Sequence, residues 1–240
     1  MTWHASTSQW YTPSSQEAID NATEAYSILI PQYGWTEAAC AGMFGNIDHE
    51  GMWNPWSWQG SGSPAAGALT QSYAESITRE QGGQIHGYGL IGWTPAKKYQ
   101  FNNAHYPGEA QWFPGYNQES YAGYGPYWSD VPGDPNDGAA QIRLIGEAMA
   151  NSNINLWFHQ SGDHPHNLTA SEFIALTDPE EAALAWLWRA ERPSSIFDPD
   201  RRPRTERVRK KSALDWMDRL DWQYTKKPKI WLISKRIWRL

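Results

Sequence analysis

Residues 36–59 read TEAACAGMFGNIDHEGMWNPWSWQ, and two kinds of local chemistry meet within them. Thr36 suits a helix N-cap and Glu37 the first turn, where a side-chain oxygen and a negative charge face unpaired amides. Ala39, Met43 and Ile47 follow at helical spacing, which predicts a helix over about 36–50 with Gly51 closing it in a left-handed conformation. Glu50 then continues the apolar stripe instead of the solvated face. A carboxyl in that position is partly desolvated and lies near the negative end of the helix dipole, and both effects favour its protonated form. A general acid that works near neutral pH is made in this way. Beside it, Trp53, Asn54, Pro55, Trp56, Ser57, Trp58 and Gln59 put three tryptophans into a loop composition. Flat rings next to a protonated carboxyl suit a polysaccharide, whose C–H faces stack on aromatics while its hydroxyls meet polar groups such as Asn54 and Gln59.

Outward from this stretch the chain reads as mostly helical. Ser14, Ser15, Gln16 and Glu17 match a capping box, Ile19, Ala22, Tyr26 and Leu29 follow at helical spacing, and Pro31 is expected to end that helix. A loose helical pattern covers 68–80, whereas residues 101–137 are rich in Tyr, Gly, Pro, Asn and Trp and read as an irregular insertion. Helix resumes over about 137–152, with Ile142, Ile145 and Met149 on one face. Asp178 caps a further helix that has Pro179 at its first position and runs to Arg192. Glu191 and Arg192 close it before Pro193, a spacing that suits a local ion pair better than a part in orienting Glu50. Residues 211–220 predict a last helix. Strand patterns are scarce.

The 240 residues carry a net charge of −6, but residues 1–200 hold −16 of it and residues 201–240 hold +10. One domain with a basic appendage is the organisation this implies: an N-terminal segment and first helix in 1–30, a main domain in 31–222, and a basic, aromatic extension in 223–240. The lone Cys40 cannot form an intrachain disulfide, and within an Ala-rich helix it reads as a small buried hydrophobe. The N-terminus lacks the pattern of a secretory signal, and the apolar run at 230–233 is far shorter than the roughly 20 residues that cross a bilayer. No stable membrane insertion is therefore expected. His159, Asp163, His164 and His166 lie in a Gly/Pro loop without a supporting ligand pair, so neither a metal site nor a cofactor is expected.

Several motifs in one order carry a resemblance. Gly45-Asn46-Ile47-Asp48-His49-Glu50, then Asn54-Pro55 and Trp58-Gln59, then Gly87-Tyr88-Gly89-Leu90 and Trp93-Thr94-Pro95, with Glu191-Arg192-Pro193 and Ala213-Leu214-Asp215-Trp216 farther on, resemble the phage tail lysozyme family of the lysozyme-like superfamily. The resemblance covers roughly residues 25–222. It implies a mostly α, lysozyme-like α+β fold of two lobes with a central glycan-binding cleft. It also implies a virion-associated hydrolase that cleaves the β-1,4 glycan strand of peptidoglycan during genome entry. Glu50 falls on the family's catalytic glutamate. Trp53, Asn54, Trp56, Trp58, Gln59, Tyr88, Gly89, Leu90 and Trp93 are the expected groove residues. Where the family usually has a serine after the glutamate and a glutamine two residues after the Gly-Leu pair, this chain has Gly51 and Gly92, which removes polar groups from the expected cleft.

No second carboxylate is identified from sequence. Glu75, Glu80, Asp130, Asp134 and Asp137 are the nearest downstream acids considered, and Asp48 points to a different helix face. A lytic transglycosylase using the same site, or a non-catalytic peptidoglycan-binding tail protein with a degenerate cleft, are the alternatives. The regular mixing of cations with bulky apolar groups in 223–240 favours docking to other tail or virion proteins. Nucleic-acid binding is not expected, since no recognised module accompanies the charge.

Overall fold

The computed structural model describes residues 3–6, 11–57, 89–92, 137–150, 157, 166–191 and 193–225. Six α-helices account for most of them: α1 (Gln16–Tyr33), α2 (Glu37–Ile47), α3 (Gly138–Ala150), α4 (Ala170–Ile174), α5 (Pro179–Trp186) and α6 (Arg202–Thr225). No strand occurs among the described residues, as the scarcity of strand patterns predicts. A π turn, Leu187–Glu191, continues α5. The expected helix at 68–80 and the insertion at 101–136 lie outside the described residues.

The caps fix the helix ends more finely than the sequence reading does. Ser15, not Ser14, is the N-cap of α1, accepting from the Ala18 amide at 3.2 Å. Helix α1 also passes Pro31 and continues to Tyr33. A proline in the last turn removes only one backbone bond, and Gly34, at φ 71°, then closes the helix. The Gly34 amide donates to Ile30 O at 3.1 Å and the Trp35 amide to Leu29 O at 3.3 Å. Helix α6 is much longer than the expected 211–220 and runs through position 223, where the sequence suggests an extension begins. Its early residues are Arg, Glu and Lys, good helix formers, and Pro203 sits in the first turn where no N–H is required.

Helix α2 is the central element: every residue from Ala38 to Ile47 is buried. It packs on α5 and α6. Contact with α6 is backbone-close, because a Cβ at Gly45 would lie 2.6 Å from the Ala213 amide nitrogen and 2.9 Å from Arg209 O. Aromatic clusters sit at both ends of α2. Trp35, Trp157, Phe173 and Trp186 surround its start, with ring centroids 4.8–6.1 Å apart. Phe44, Trp53 and Trp216 surround its end, at 4.9–5.8 Å. Rings thus do much of the work of aliphatic chains in this core. Cys40, in the middle of α2, is fully buried, and burial pushes its thiol well up.

Candidate functional site

The helix stripe ends earlier than expected: α2 stops at Ile47, and Asp48–Trp53 form a run of turns. Left-handed backbone falls on Met52 (φ 46°) and Trp53 (φ 60°), not on Gly51. Two features hold this strained turn. Asp48, 4% exposed, accepts the Trp53 indole N–H at 2.8 Å and the Trp216 indole N–H at 2.9 Å, tying the turn to α6. The N-terminal segment and α1 brace the other side: Asn21 donates to Trp53 O at 2.8 Å, the Tyr11 amide to Met52 O at 3.2 Å, and Asn54 to Ser6 O at 2.8 Å.

Gly51 has a different role from the one its sequence position suggests. Its amide donates to Leu90 O at 3.2 Å, and a Cβ there would lie 2.5 Å from Leu90 O and 2.7 Å from Gly89 O. The place where the family usually has serine is filled by the backbone of the 89–92 turn. That turn is fixed further by Gln141 of α3, which is buried and bridges the Leu90 amide (2.9 Å) and Pro55 O (2.8 Å). Gly51→Ala should therefore cost about 1–3 kcal/mol, because rigid backbone must move to admit the methyl group. Urea unfolding checks this, and a change below about 0.5 kcal/mol would contradict the close approach.

These contacts correct part of the expected groove. Trp53, Asn54 and Leu90 have fully buried side chains, and their polar groups hold the turns together. A side chain sealed in the core offers no ring or amide to a glycan. Gly89 is buried too, with its amide on Ser57 O at 2.9 Å. Trp56 is half-buried against the core. Trp58, Gln59, Tyr88 and Trp93 lie outside the described residues.

Glu50 keeps a partly exposed edge, with 29% of its side chain accessible. Its Oε1 accepts from Arg209 Nη2 at 2.7 Å, and the same Nη2 donates to Glu191 Oε2 at 3.1 Å. A Cβ at Gly92 would stand 3.6 Å from the other oxygen, Oε2. One oxygen is thus anchored on α6 and the other is turned toward the 89–92 turn. Burial pushes the Glu50 carboxyl up to about 7, with the Glu191 carboxyl opposing that rise. Burial and the Glu50 charge push Glu191 well up, while the Trp186 indole works the other way. Desolvation lowers Arg209 to about 10, which leaves it a cation at neutral pH.

Glu191 and Arg209 are what sequence reasoning missed. Glu191 sits on the π turn, a widening with no simple sequence signature that is common where a side chain must be aimed. Its cationic partner is Arg209, whereas Arg192, the expected partner, lies outside the described residues. For Arg209 a signal existed: Arg209, Ala213, Trp216 and Leu220 are spaced at i, i+4, i+7 and i+11 and are all buried, so this arginine lies on the apolar stripe of α6. Other cations of 201–211 also have local partners: Arg202 over the Trp188 ring, Lys210 with Glu180 and Lys211 with Asp215. Of the expected histidine loop, His166 is described, and its Nδ1 meets Glu181 at 2.7 Å. Of the downstream acids, Asp137 is described and accepts from the Ala139 amide at the start of α3 (3.1 Å).

Asp48 is also pushed up to about 7 by burial. Asp48, Glu50 and Glu191 all bind protons more tightly folded than unfolded. The contribution of Asp48 and Glu50 to stability is complete below about pH 4 and is lost as pH rises through about 7, and Glu191 acts in the same direction. The melting temperature should therefore fall between pH 5 and pH 8. A thermal scan across that range that stays flat or rises contradicts this sign.

Among known proteins, the chain is 27% identical over 197 residues to Morphogenesis protein 1 of Bacillus phage B103, an alignment that covers 80% of this chain. It spans only 39% of that relative's length. The sequence model of the phage tail lysozyme family matches residues 20–220, a span that runs from α1 through Leu220 and includes Glu50, Glu191 and Arg209. The chain belongs to the phage tail lysozyme family.

Proposed function

We propose that this chain is a virion-associated glycosidase that cleaves the β-1,4 glycan strand of peptidoglycan, with Glu50 as general acid. The observation that supports it best is the asymmetry of the Glu50 carboxyl. Oε1 is fixed by Arg209, Oε2 faces the 89–92 turn, and burial raises the group to about 7. A carboxyl that holds its proton near neutral pH and presents it from one oxygen suits protonation of a leaving glycosidic oxygen. Trp56, Trp58, Gln59, Tyr88 and Trp93 are the proposed groove residues. Family membership and the phage relative support action at the host wall from a tail particle during genome entry. Residues 223–240 are proposed to contact other virion proteins.

Two other readings share the site. A lytic transglycosylase needs only Glu50 and help from the substrate's own acetamido group. A non-catalytic wall-binding module requires a decayed cleft, and Gly51 no longer supports decay because backbone occupies the place of a side chain. Mass spectrometry of material released from purified peptidoglycan tests all three. Soluble muropeptides with reducing ends support hydrolysis, 1,6-anhydro ends replace it with transglycosylation, and retention on the wall without release replaces both with binding.

A further inference from the structure

Arg209 holds two carboxyls through one nitrogen, and the two are not equivalent. Glu50 Oε1 lies 2.7 Å from Nη2 and its side chain is 29% exposed, whereas Glu191 Oε2 lies 3.1 Å from Nη2 and its side chain is 2% exposed. A negative charge is better tolerated where the cation is closer and water can reach. The charge of the pair therefore belongs on Glu50 and the retained proton on Glu191. Glu191 Oε1 points the same way, because it is buried and receives no hydrogen-bond donor. Ionised, that oxygen would be an unsatisfied buried acceptor; protonated, the carboxyl becomes a donor in want of an acceptor, and Glu50 supplies one. Burial raises both carboxyls and the Glu50 charge raises Glu191 further, while the hydrogen bond between them raises Glu191 and lowers Glu50. That last pair of signs arises only when Glu191 donates and Glu50 accepts.

We propose that Glu191 is a positioning residue that stays protonated and donates a hydrogen bond to the Glu50 carboxylate, so that it and Arg209 together stabilise the charge left when Glu50 gives up its proton. This rests on the reading of Glu50 as the general acid. Before transfer Glu50 and Glu191 each hold a proton, and with Arg209 they carry one net positive charge. As the Glu50 Oε2–H bond breaks, its electron pair stays on Glu50 and the proton passes to the glycosidic oxygen. That oxygen keeps the electron pair of its broken bond to the anomeric carbon, which water or the substrate's own acetamido oxygen then attacks. The three side chains are now neutral overall, the direction of change that a poorly solvated place favours. An ionised Glu191 would instead leave them with a net negative charge and oppose the transfer. Glu50 recovers its proton from water through its exposed edge. Glu191, sealed from solvent, acts only through Glu50.

The other titratable and charged groups packed around the three, among the described residues, do not substitute for Glu191. Asp48 on the turn after α2 acts on Arg209, but it is engaged by two indoles and is itself influenced by Arg219. His49 contacts the Ser212 hydroxyl at 3.2 Å. At the end of α5 the Trp186 indole opposes the rise of Glu191, but its N–H closes no full hydrogen bond. On α6, Glu206 accepts from the Trp188 indole and Lys210 pairs with Glu180.

Two readouts on the full chain test this: the ¹³C-carboxyl resonance of Glu191, assigned by its absence in Glu191→Gln, and the pH dependence of kcat and kcat/KM on peptidoglycan fragments. The Glu191 resonance stays at the position of a neutral carboxyl from about pH 5 to about pH 8, far above the ordinary glutamate range. A resonance that reaches the ionised position by about pH 7 overturns the inference. Glu191→Met removes the donor and leaves Arg209 in place. Its alkaline limb moves about one unit alkaline, and kcat on the acid side of the limb falls about three- to tenfold because Glu50 is then a weaker acid, with KM within about twofold. Glu191→Gln, whose amide N–H can still donate, recovers most of both effects. A limb that moves acidward in either variant marks Glu191 as an ionised counter-charge, and an unmoved limb in Glu191→Met marks it as structural; both overturn the inference. Should Glu191→Met fail to fold, the parental resonance and the Glu191→Gln limb decide. Glu50→Gln separates the two ideas. If it is inactive at every pH while the Glu191 resonance is that of an ionised group, only the inference fails; if it clears the wall at the parental rate, the general-acid reading fails and the role of Glu191 falls with it.

Discussion

Glu50→Gln should lower the rate of glycan cleavage by about 10²–10⁴-fold, the range that a positioned proton donor contributes. The amide keeps the shape of the side chain, and its oxygen can still accept from Arg209 Nη2, now at 2.7 Å from Oε1. What disappears is the transferable proton on the oxygen facing the 89–92 turn. Binding should change little, so the loss falls on kcat and not on KM. Stability at neutral pH should hold or rise slightly, because a buried carboxyl that resists ionisation becomes a neutral amide. Turbidity loss of a purified peptidoglycan suspension, with circular dichroism as the folding control, reads both. A variant that clears the suspension at the parental rate contradicts the role.

The largest stability loss is expected at Asp48→Ala. This side chain accepts two indole N–H groups, one from Trp53 in the turn and one from Trp216 in α6, and all three residues are buried. Truncation leaves both donors without their acceptor. Each buried donor left unpaired costs about 1–3 kcal/mol, so the pair costs about 2–6 kcal/mol. A domain is stable by only about 5–15 kcal/mol, which makes this a large share of the total. Asp48→Asn should fall between parent and alanine: its oxygen can serve one indole, while its NH₂ opposes the other. Urea unfolding of the three proteins checks the order. An alanine variant within about 0.5 kcal/mol of the parent would show that the aromatic trio holds the turn without Asp48. Activity should fall along with stability in this series, since Asp48 fixes the turn that carries Glu50 two residues later.

The sequence made the helices legible because their signals are local. Thr36 and Asp178 are caps in the structure as in the sequence, and Ile142, Ile145 and Met149 share a buried face. Helix ends were less legible. Pro31 in a last turn and Pro203 in a first turn disrupt little, although each resembles a stop in a linear reading. At the site, Glu50 reads in the sequence as the end of a helical apolar stripe, whereas α2 stops at Ile47 and Glu50 lies in the turns that follow, anchored on Arg209 of α6. Trp53 and Asn54 were misread because an aromatic, polar loop composition does not say whether its side chains turn outward or inward. Here Asp48 and Ser6 draw them in. Glu191 and Arg209 lie 141 and 159 residues beyond Glu50, and only the packing of α2 against α5 and α6 brings the three together. The charge division also reads differently: a cation counted within the basic stretch 201–211 belongs to the site in the acidic body.

The measurement that bears most directly on the account is an NMR titration of ¹³C-carboxyl-labelled glutamate in the full chain, with the Glu50 resonance assigned by its absence in Glu50→Gln. A poised general acid requires that this resonance titrate with a midpoint near 7, as its burial dictates. A midpoint near the ordinary glutamate value of 4.5 would mean that Glu50 has no proton to give at neutral pH, and would contradict the proposed chemistry.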